Sequence, residues 1–141
     1  FAEVTGRHYE LYEYVGSPTA ERVLVMMGSG AETAHETIDH LIARDESVGL
    51  LKVRLLRPFV NELLVEAMPA TVKRVVVLDR CKDPGAGGEP LYKDVMGAFA
   101  EHVAAGGGRF SVAPPVIGGR YGLSSKEFTP GMVTAALDEA A

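Results

Sequence analysis

Val23-Leu24-Val25-Met26-Met27-Gly28-Ser29-Gly30-Ala31-Glu32 is the stretch whose reading decides the fold. Its first five residues form a short, uninterrupted apolar run. Such runs mark strands covered on both faces, as in parallel sheets buried between helices. Gly28-Ser29-Gly30 then turns the chain. From Ala31 to Arg44 the apolar positions Ala34, Ile38, Leu41 and Ile42 fall on one helical face. Ser29 and Glu32 have the spacing of a capping box, with Ser29 as N-cap and Glu32 reaching back. The stretch is therefore a strand–turn–helix unit.

The same unit recurs outward from it. Val48 to Leu55 and Val75 to Leu78 read as further buried strands, and Val116-Ile117 as a weaker one. Pro58 suits the first turn of a short helix carrying Leu63, Leu64 and Ala67, which Pro69 stops. Leu91, Val95, Phe99 and Val103 mark a longer helix that Gly106-Gly107-Gly108 ends. Thr129-Pro130 starts a last helix through Met132, Val133, Ala136 and Leu137. Upstream, residues 9–14 alternate large apolar groups with Glu10 and Glu13, as a half-exposed edge strand does. The order is one strand followed by four βα units. Crossovers of helical length make the later strands parallel. The link from Val15 to Glu21 is too short for one, so the first strand is expected antiparallel. The fold class is a three-layer α/β/α sandwich with a mixed five-stranded sheet, and residues 1–141 read as a single domain.

Composition bounds the function. The 141 residues hold 14 basic and 19 acidic groups, a net charge of −5. That argues against general binding to nucleic acid or an anionic membrane. No apolar run approaches the ~18 residues of a membrane span, and no signal peptide is present, so a cytoplasmic protein is expected. Cys81 is the only cysteine, which excludes an internal disulfide, a CxxC pair or a self-contained zinc or iron–sulfur site. The chain opens on Phe1 without Met, which suggests a segment of something longer. Charge is uneven: residues 1–70 carry 6 basic and 11 acidic groups, residues 71–141 carry 8 of each.

Several constellations bear on chemistry. Gly28-Ser29-Gly30 stands where helix N-termini offer free N–H groups to anions. The dinucleotide pattern fails, because position 33 is Thr and Arg54 and Arg57 stand where an acid is expected. An ordinary strand-to-helix turn is the better reading. Arg54, Arg57, Arg80 and Arg120 all fall at or just beyond strand carboxyl ends, with Lys82 and Lys126 close behind. They are candidates for holding a small anion or a carboxylate of a neighbouring domain. The bland alternative pairs them with Asp79, Asp83, Glu89 and Glu127 of the same loops. The loop from Asp79 to Leu91 is glycine-rich but lacks the Gly-Lys-Ser/Thr ending of a phosphate loop. Its Cys81, beside Arg80 and Lys82, is either an activated thiol or, preferably, a passive one.

The histidines carry little. His35 and His40 lie five apart on one helix and cannot chelate one metal. His35 with Asp39 and Glu36 with His40 have the spacing of ordinary surface pairs, while His8 and His102 have no partner the sequence names. No Ser/His/Asp order or nucleophile elbow is present. The residues show no catalytic kit and no metal ligands.

Three extended segments nevertheless resemble pyruvate:ferredoxin (flavodoxin) oxidoreductase. They are Leu51-Lys52-Val53-Arg54-Leu55-Leu56-Arg57-Pro58-Phe59, then Val77-Leu78-Asp79-Arg80 with Lys82-Asp83-Pro84-Gly85 and Gly88-Glu89-Pro90-Leu91-Tyr92, and then Gly119-Arg120-Tyr121-Gly122-Leu123-Ser124-Ser125-Lys126-Glu127-Phe128-Thr129-Pro130. Tyr14-Val15-Gly16 and Met27-Gly28-Ser29 with Glu32-Thr33 fit as well. The resemblance is to the domain that follows the N-terminal thiamine-pyrimidine-binding domain, similar to the C-terminal domain of transketolase. It implies sheet order 13245 with strand 1 antiparallel.

The resemblance further implies a multidomain, homodimeric parent that converts pyruvate and coenzyme A to acetyl-CoA and carbon dioxide. Such a parent uses thiamine diphosphate, Mg2+ and 4Fe-4S clusters and passes electrons to ferredoxin or flavodoxin. The family's cluster cysteines and diphosphate-binding motif belong to other domains, so no cofactor is expected within this one. The segment from Ala104 to Pro115 departs from the family pattern. The loops at Gly28–Gly30, Arg54–Pro58, Asp79–Leu91 and Gly118–Ser125 are expected to pack on neighbouring domains. Ser29, Arg54, Arg57, Arg80, Lys82 and Arg120 are the candidate contact residues. Two rival readings are a coenzyme A phosphate site on the basic edge and a free-standing module for a nucleotide such as NADP or a flavin such as FMN.

Overall fold

A computed structural model describes residues 2–141; Phe1 lies outside the described residues. The strands are β1 (Tyr12–Gly16), β2 (Arg22–Met27), β3 (Val48–Val53), β4 (Arg74–Asp79) and β5 (Val116–Arg120). The helices are α1 (Ala2–Thr5), α2 (Gly30–Ile42), α3 (Asn61–Glu66), α4 (Pro90–Ala104) and α5 (Pro130–Asp138). The sheet order is β1-β3-β2-β4-β5. β1 runs antiparallel to β3, and the remaining pairs are parallel. Both the expected topology and the odd first strand are present.

The apolar runs are explained by two cores, one on each sheet face. Val23, Val25, Val75 and Val77 point to a core closed by Leu64 of α3 and by Leu91, Val95 and Phe99 of α4. Leu24, Met26, Val76 and Leu78 point to a second core closed by Ala34 and Ile38 of α2 and by Val133 and Leu137 of α5. A strand residue on either face is therefore buried, and the polar alternation of a half-exposed strand has no place in β2 or β4. Val23, Leu24, Val25 and Met26 are all fully buried.

The chain departs from its sequence pattern in four places. β1 begins at Tyr12, not Tyr9. β3 ends at Val53 opposite Tyr12, and just before the strand the Leu11 carbonyl accepts from Arg54 N–H at 2.9 Å. Pro58 lies ahead of α3, after a cis Arg57–Pro58 bond, and the helix starts at Asn61. Leu63 is 44% exposed instead of buried with Leu64. The capping box at α2 does not form. Ser29 has helical dihedrals and makes no side-chain cap, and the Glu32 carboxylate accepts from Lys52 instead of reaching back.

The segment after α4 is held by His102, which has a partner after all. Its Nε2 accepts the backbone N–H groups of Arg109 and Phe110, both at 3.2 Å. That places the Phe110 ring edge-on to Phe99, with centroids 5.5 Å apart. Arg109 Nη1 also donates to the Met68 carbonyl at 2.9 Å. Gly49 serves a different need. A Cβ there would come within 2.7 Å of the Tyr14 ring, so β1 lies against β3 only because position 49 has no side chain.

Candidate functional site

The carboxyl ends of β2, β3, β4 and β5 form one edge, where ligands of open α/β sheets bind. The candidate residues stand along it in two groups. β3 and β5 are separated by β2 and β4, which puts their ends roughly 14 Å apart at the usual strand spacing. The basic residues therefore do not converge on a single small anion.

The first group surrounds the start of α2. Gly28, Ser29, Glu32, Lys52 and Arg54 line a cavity of about 350 Å³. Arg54 Nε donates to Glu13 at 2.9 Å, and this contact pushes the guanidinium pKa up. Lys52 was not among the candidates, yet it is the buried cation of the edge, at 2% exposure. Its ammonium donates to both Glu32 oxygens, at 3.0 and 3.2 Å, and to His35 Nδ1 at 2.9 Å. The Lys52 hydrogen bond holds the Glu32 carboxyl below the usual glutamate range. The sequence does contain a signal for Lys52. Two residues beyond buried Leu50, it must face the same core, towards α2.

Arg57 stands apart from that cavity. It donates to Asp94 of α4 at 2.7 Å and to the Leu56 carbonyl at 2.8 Å. The expected partners were loop acids, but Arg54 and Arg57 take theirs from β1 and α4.

The second group follows β4 and β5. Asp79 is 2% exposed and does not pair with an arginine. Its carboxylate accepts the N–H groups of Leu91 and Tyr92, at 3.0 and 3.1 Å, and so caps α4 from twelve residues upstream. Glu89 accepts from Arg120 Nε at 2.5 Å, which lowers the glutamate pKa and raises that of the arginine. Gly88 and Gly118 flank the Tyr92 ring closely enough that a Cβ on either would strike it. With Glu89, Arg120 and Tyr92 they line a cavity of about 430 Å³. Arg80 Nε reaches the Gly122 carbonyl at 3.4 Å, and Lys82 is exposed in the loop.

The Cys81 thiol is pushed up, first by burial and then by the charge of Asp79. This removes the activated-thiol alternative, because the carboxylates outweigh Arg80 and Lys82. The residues present also do not fit a metal or an iron–sulfur cluster. A cluster needs several thiolates, whereas the chain has one Cys. Among the described residues no three His, Cys, Asp or Glu side chains gather to hold a metal ion. What the edge offers is ion pairs and helix starts, arranged for binding and packing.

A family model described as pyruvate:ferredoxin oxidoreductase core domain II matches residues 20–112. The chain belongs to that family. The chain is 62% identical over 138 residues to a putative pyruvate-flavodoxin oxidoreductase of Synechocystis, a match that covers 98% of the chain and 11% of that relative. A 2-oxoglutarate:ferredoxin oxidoreductase from Magnetococcus marinus, solved with 2-oxoglutarate, coenzyme A and succinyl-CoA bound, superposes with a TM-score of 0.60 at 22% identity. That match covers 93% of this chain and 20% of the other. A split-gene transketolase, solved as an inactive β4 tetramer, superposes with a TM-score of 0.66 at 20% identity, covering 95% of this chain and 43% of the other. These two likenesses concern the fold alone. The chain spans about a tenth of the length of the first curated relatives it matches.

Proposed function

We infer that residues 1–141 are one non-catalytic, interdomain module of a larger 2-oxoacid:ferredoxin or flavodoxin oxidoreductase. The parent reaction is the conversion of pyruvate and coenzyme A to acetyl-CoA and carbon dioxide. The observation that carries this reading is the near-complete coverage of the chain at 62% identity against only 11% of the relative's length. On this reading thiamine diphosphate, Mg2+ and 4Fe-4S clusters are held by other domains, and the single cysteine of this one supports that for the clusters. Ferredoxin or flavodoxin and coenzyme A are partners of the parent, a homodimer, and its place is the cytoplasm. No helix among the described residues is long and apolar enough to cross a membrane.

The state of the edge supports a structural role. Groups able to move a proton or attack a carbonyl are committed elsewhere: Asp79 to α4, Glu89 to Arg120 and Lys52 to Glu32. Ser29, Arg54, Arg57, Arg80, Lys82 and Arg120 remain contact residues for neighbouring domains. The test is an assay of the intact polypeptide with pyruvate and coenzyme A, read as reduction of flavodoxin or ferredoxin. Turnover by the intact enzyme and none by residues 1–141 alone is expected. Turnover by the 141 residues alone would overturn the non-catalytic assignment, and an intact enzyme inert towards pyruvate would overturn the substrate.

A further inference from the structure

The charges at the carboxyl edge fall into two populations. On the β3 side each cation is matched, Arg54 by Glu13, Lys52 by Glu32 and Arg57 by Asp94. On the β4–β5 side three of the four acids are engaged, and only Glu127 is left without a partner among the described residues. Asp79 caps α4, Asp83 holds Lys93 at 3.0 Å and Glu89 holds Arg120. Arg80, Lys82 and Lys126 are left, among the described residues, with no carboxylate within 4.0 Å. Unpaired cations gathered at one corner of a chain with net charge −5 are complementary to carboxylates from outside it.

An apolar groove of about 270 Å³ opens at the same corner. Leu78, Tyr121, Phe128, Met132 and Ala136 form its apolar wall, and Arg120, Lys126 and Glu127 line its rim, two cations to one acid. The Tyr121 and Phe128 rings pack with centroids 4.4 Å apart, which fixes one side of the groove. Met132 is 49% exposed there. The connecting loop holds two adjacent non-glycine residues in the left-handed region, Ser124 at φ 56° and Ser125 at φ 59°. That region is disfavoured for a residue with a Cβ, and both serines are exposed without a side-chain hydrogen bond among the described residues.

We propose that this corner, between the β4–α4 and β5–α5 loops, is the docking surface for an acidic segment of a neighbouring domain. An apolar side chain of that segment sits between Phe128 and Met132, and its carboxylates meet Arg80, Lys82 and Lys126. The assignment rests on the interdomain reading above and narrows it to one corner, because the Arg54–Arg57 side is already neutralised within the chain. A segment of the same polypeptide fits better than a second copy. The chain spans about a tenth of its first curated relatives' length, so other domains of one polypeptide adjoin it, and five apolar side chains beside three cations make a small contact. Covalent tethering supplies an effective concentration in the millimolar range, at which so small a contact suffices.

The experiment is zero-length carbodiimide cross-linking of the intact polypeptide, read by peptide mass spectrometry, together with lysine acetylation rates. Lys82 or Lys126 is expected to form an amide with an Asp or Glu outside residues 1–141. Both lysines are expected to acetylate about tenfold more slowly than Lys73, whose side chain is 67% exposed on another face. Acetylation as fast as Lys73, with links only to Asp83 or Glu127, would overturn the corner. Carbodiimide links from Glu62 or Glu66, beside exposed Leu63, to residues outside 1–141 would leave the interdomain reading standing, and no link to any residue outside 1–141 would remove both. Links between two copies, in a mixture of isotopically distinct chains, would overturn the proposal in favour of self-association. The exposed double substitution K82E/K126E should abolish the cross-link and speed oxidation of Met132; unchanged Met132 oxidation would count against the docked groove.

Discussion

The Asp79 carboxylate at the end of β4 accepts the backbone N–H of Leu91 at 3.0 Å, joining a strand end to the start of the helix that follows it. Asp79 is 2% exposed and Leu91 is fully buried. The long glycine-rich loop between them is therefore pinned at both ends, and α4 is fixed against the sheet. Asp79→Ala leaves two N–H groups at the start of α4 without an acceptor and is expected to cost about 1–3 kcal/mol. Asp79→Asn keeps one acceptor oxygen and should cost less. Urea denaturation checks the order; equal stability of Asp79→Ala and the parent chain would contradict the cap.

Lys52 and Glu32 are unequal partners, with side chains 3% and 63% exposed. Removing the exposed acid leaves the buried ammonium with only Glu13, at 4.0 Å, and His35. Removing the lysine returns Glu32 to water. Glu32→Ala is thus expected to destabilise by about 1–3 kcal/mol, while Lys52→Met stays within about 1 kcal/mol of the parent. Denaturant midpoints that rank the two in reverse would contradict this asymmetry.

Acid sensitivity follows from Glu32 and Glu89, whose pKa values are held down by Lys52 and Arg120 respectively. As pH falls, the unfolded chain binds protons at these groups before the folded one does. Their contribution is full above the unfolded glutamate pKa and is lost as pH drops through the lower folded values. The denaturation midpoint should therefore fall between about pH 5 and about pH 3, and the fall should be shallower in Glu32→Gln. A Glu32→Gln variant with an unchanged acid limb would contradict the assignment.

Cys81 should behave as a sluggish thiol. Its pKa is raised by burial and by Asp79, so its thiolate fraction at neutral pH lies below that of a free cysteine. Alkylation by iodoacetamide at pH 7 should be slower than that of a free-thiol peptide, and should accelerate as pH rises. A rate matching or exceeding the peptide's would show that Arg80 and Lys82 govern the thiol instead.

Gly49 tests the seating of the edge strand. An alanine Cβ would meet Tyr14 ring carbons at 2.7 Å, which should cost about 1–3 kcal/mol. A second substitution, Tyr14→Ala, removes the obstacle and should make the Gly49 change nearly neutral in that background. A cost that persists in the double variant would place the strain elsewhere.

Much of this could be read before any coordinates. The apolar runs at Val23–Met27 and Val75–Leu78 specify doubly covered strands because both strand faces meet a core. Thr129 followed by Pro130 marks the start of α5, where Thr129 does cap Met132 N–H, at 3.4 Å. The candidate edge was less legible. Ser29 and Glu32 have ideal capping spacing, but a buried lysine twenty residues away competes for the glutamate and wins. Asp79 looks like an arginine partner in its loop and proves to be a helix cap.

Sequence by itself determined the layer order, the parallel core strands, the antiparallel first strand and, through its extended motifs, the family. The first three depend on periodicity and link length, which are local along the chain; the family rests on the resemblance of its motifs. Tertiary structure alone decided which charges meet. It paired Arg54 with β1 and Arg57 with α4, buried Lys52 against α2, and left Arg80, Lys82 and Lys126 unmatched at one corner. The physical reason is that a salt bridge depends on separations of a few ångströms between side chains that lie tens of residues apart. Only the packed sheet fixes those separations.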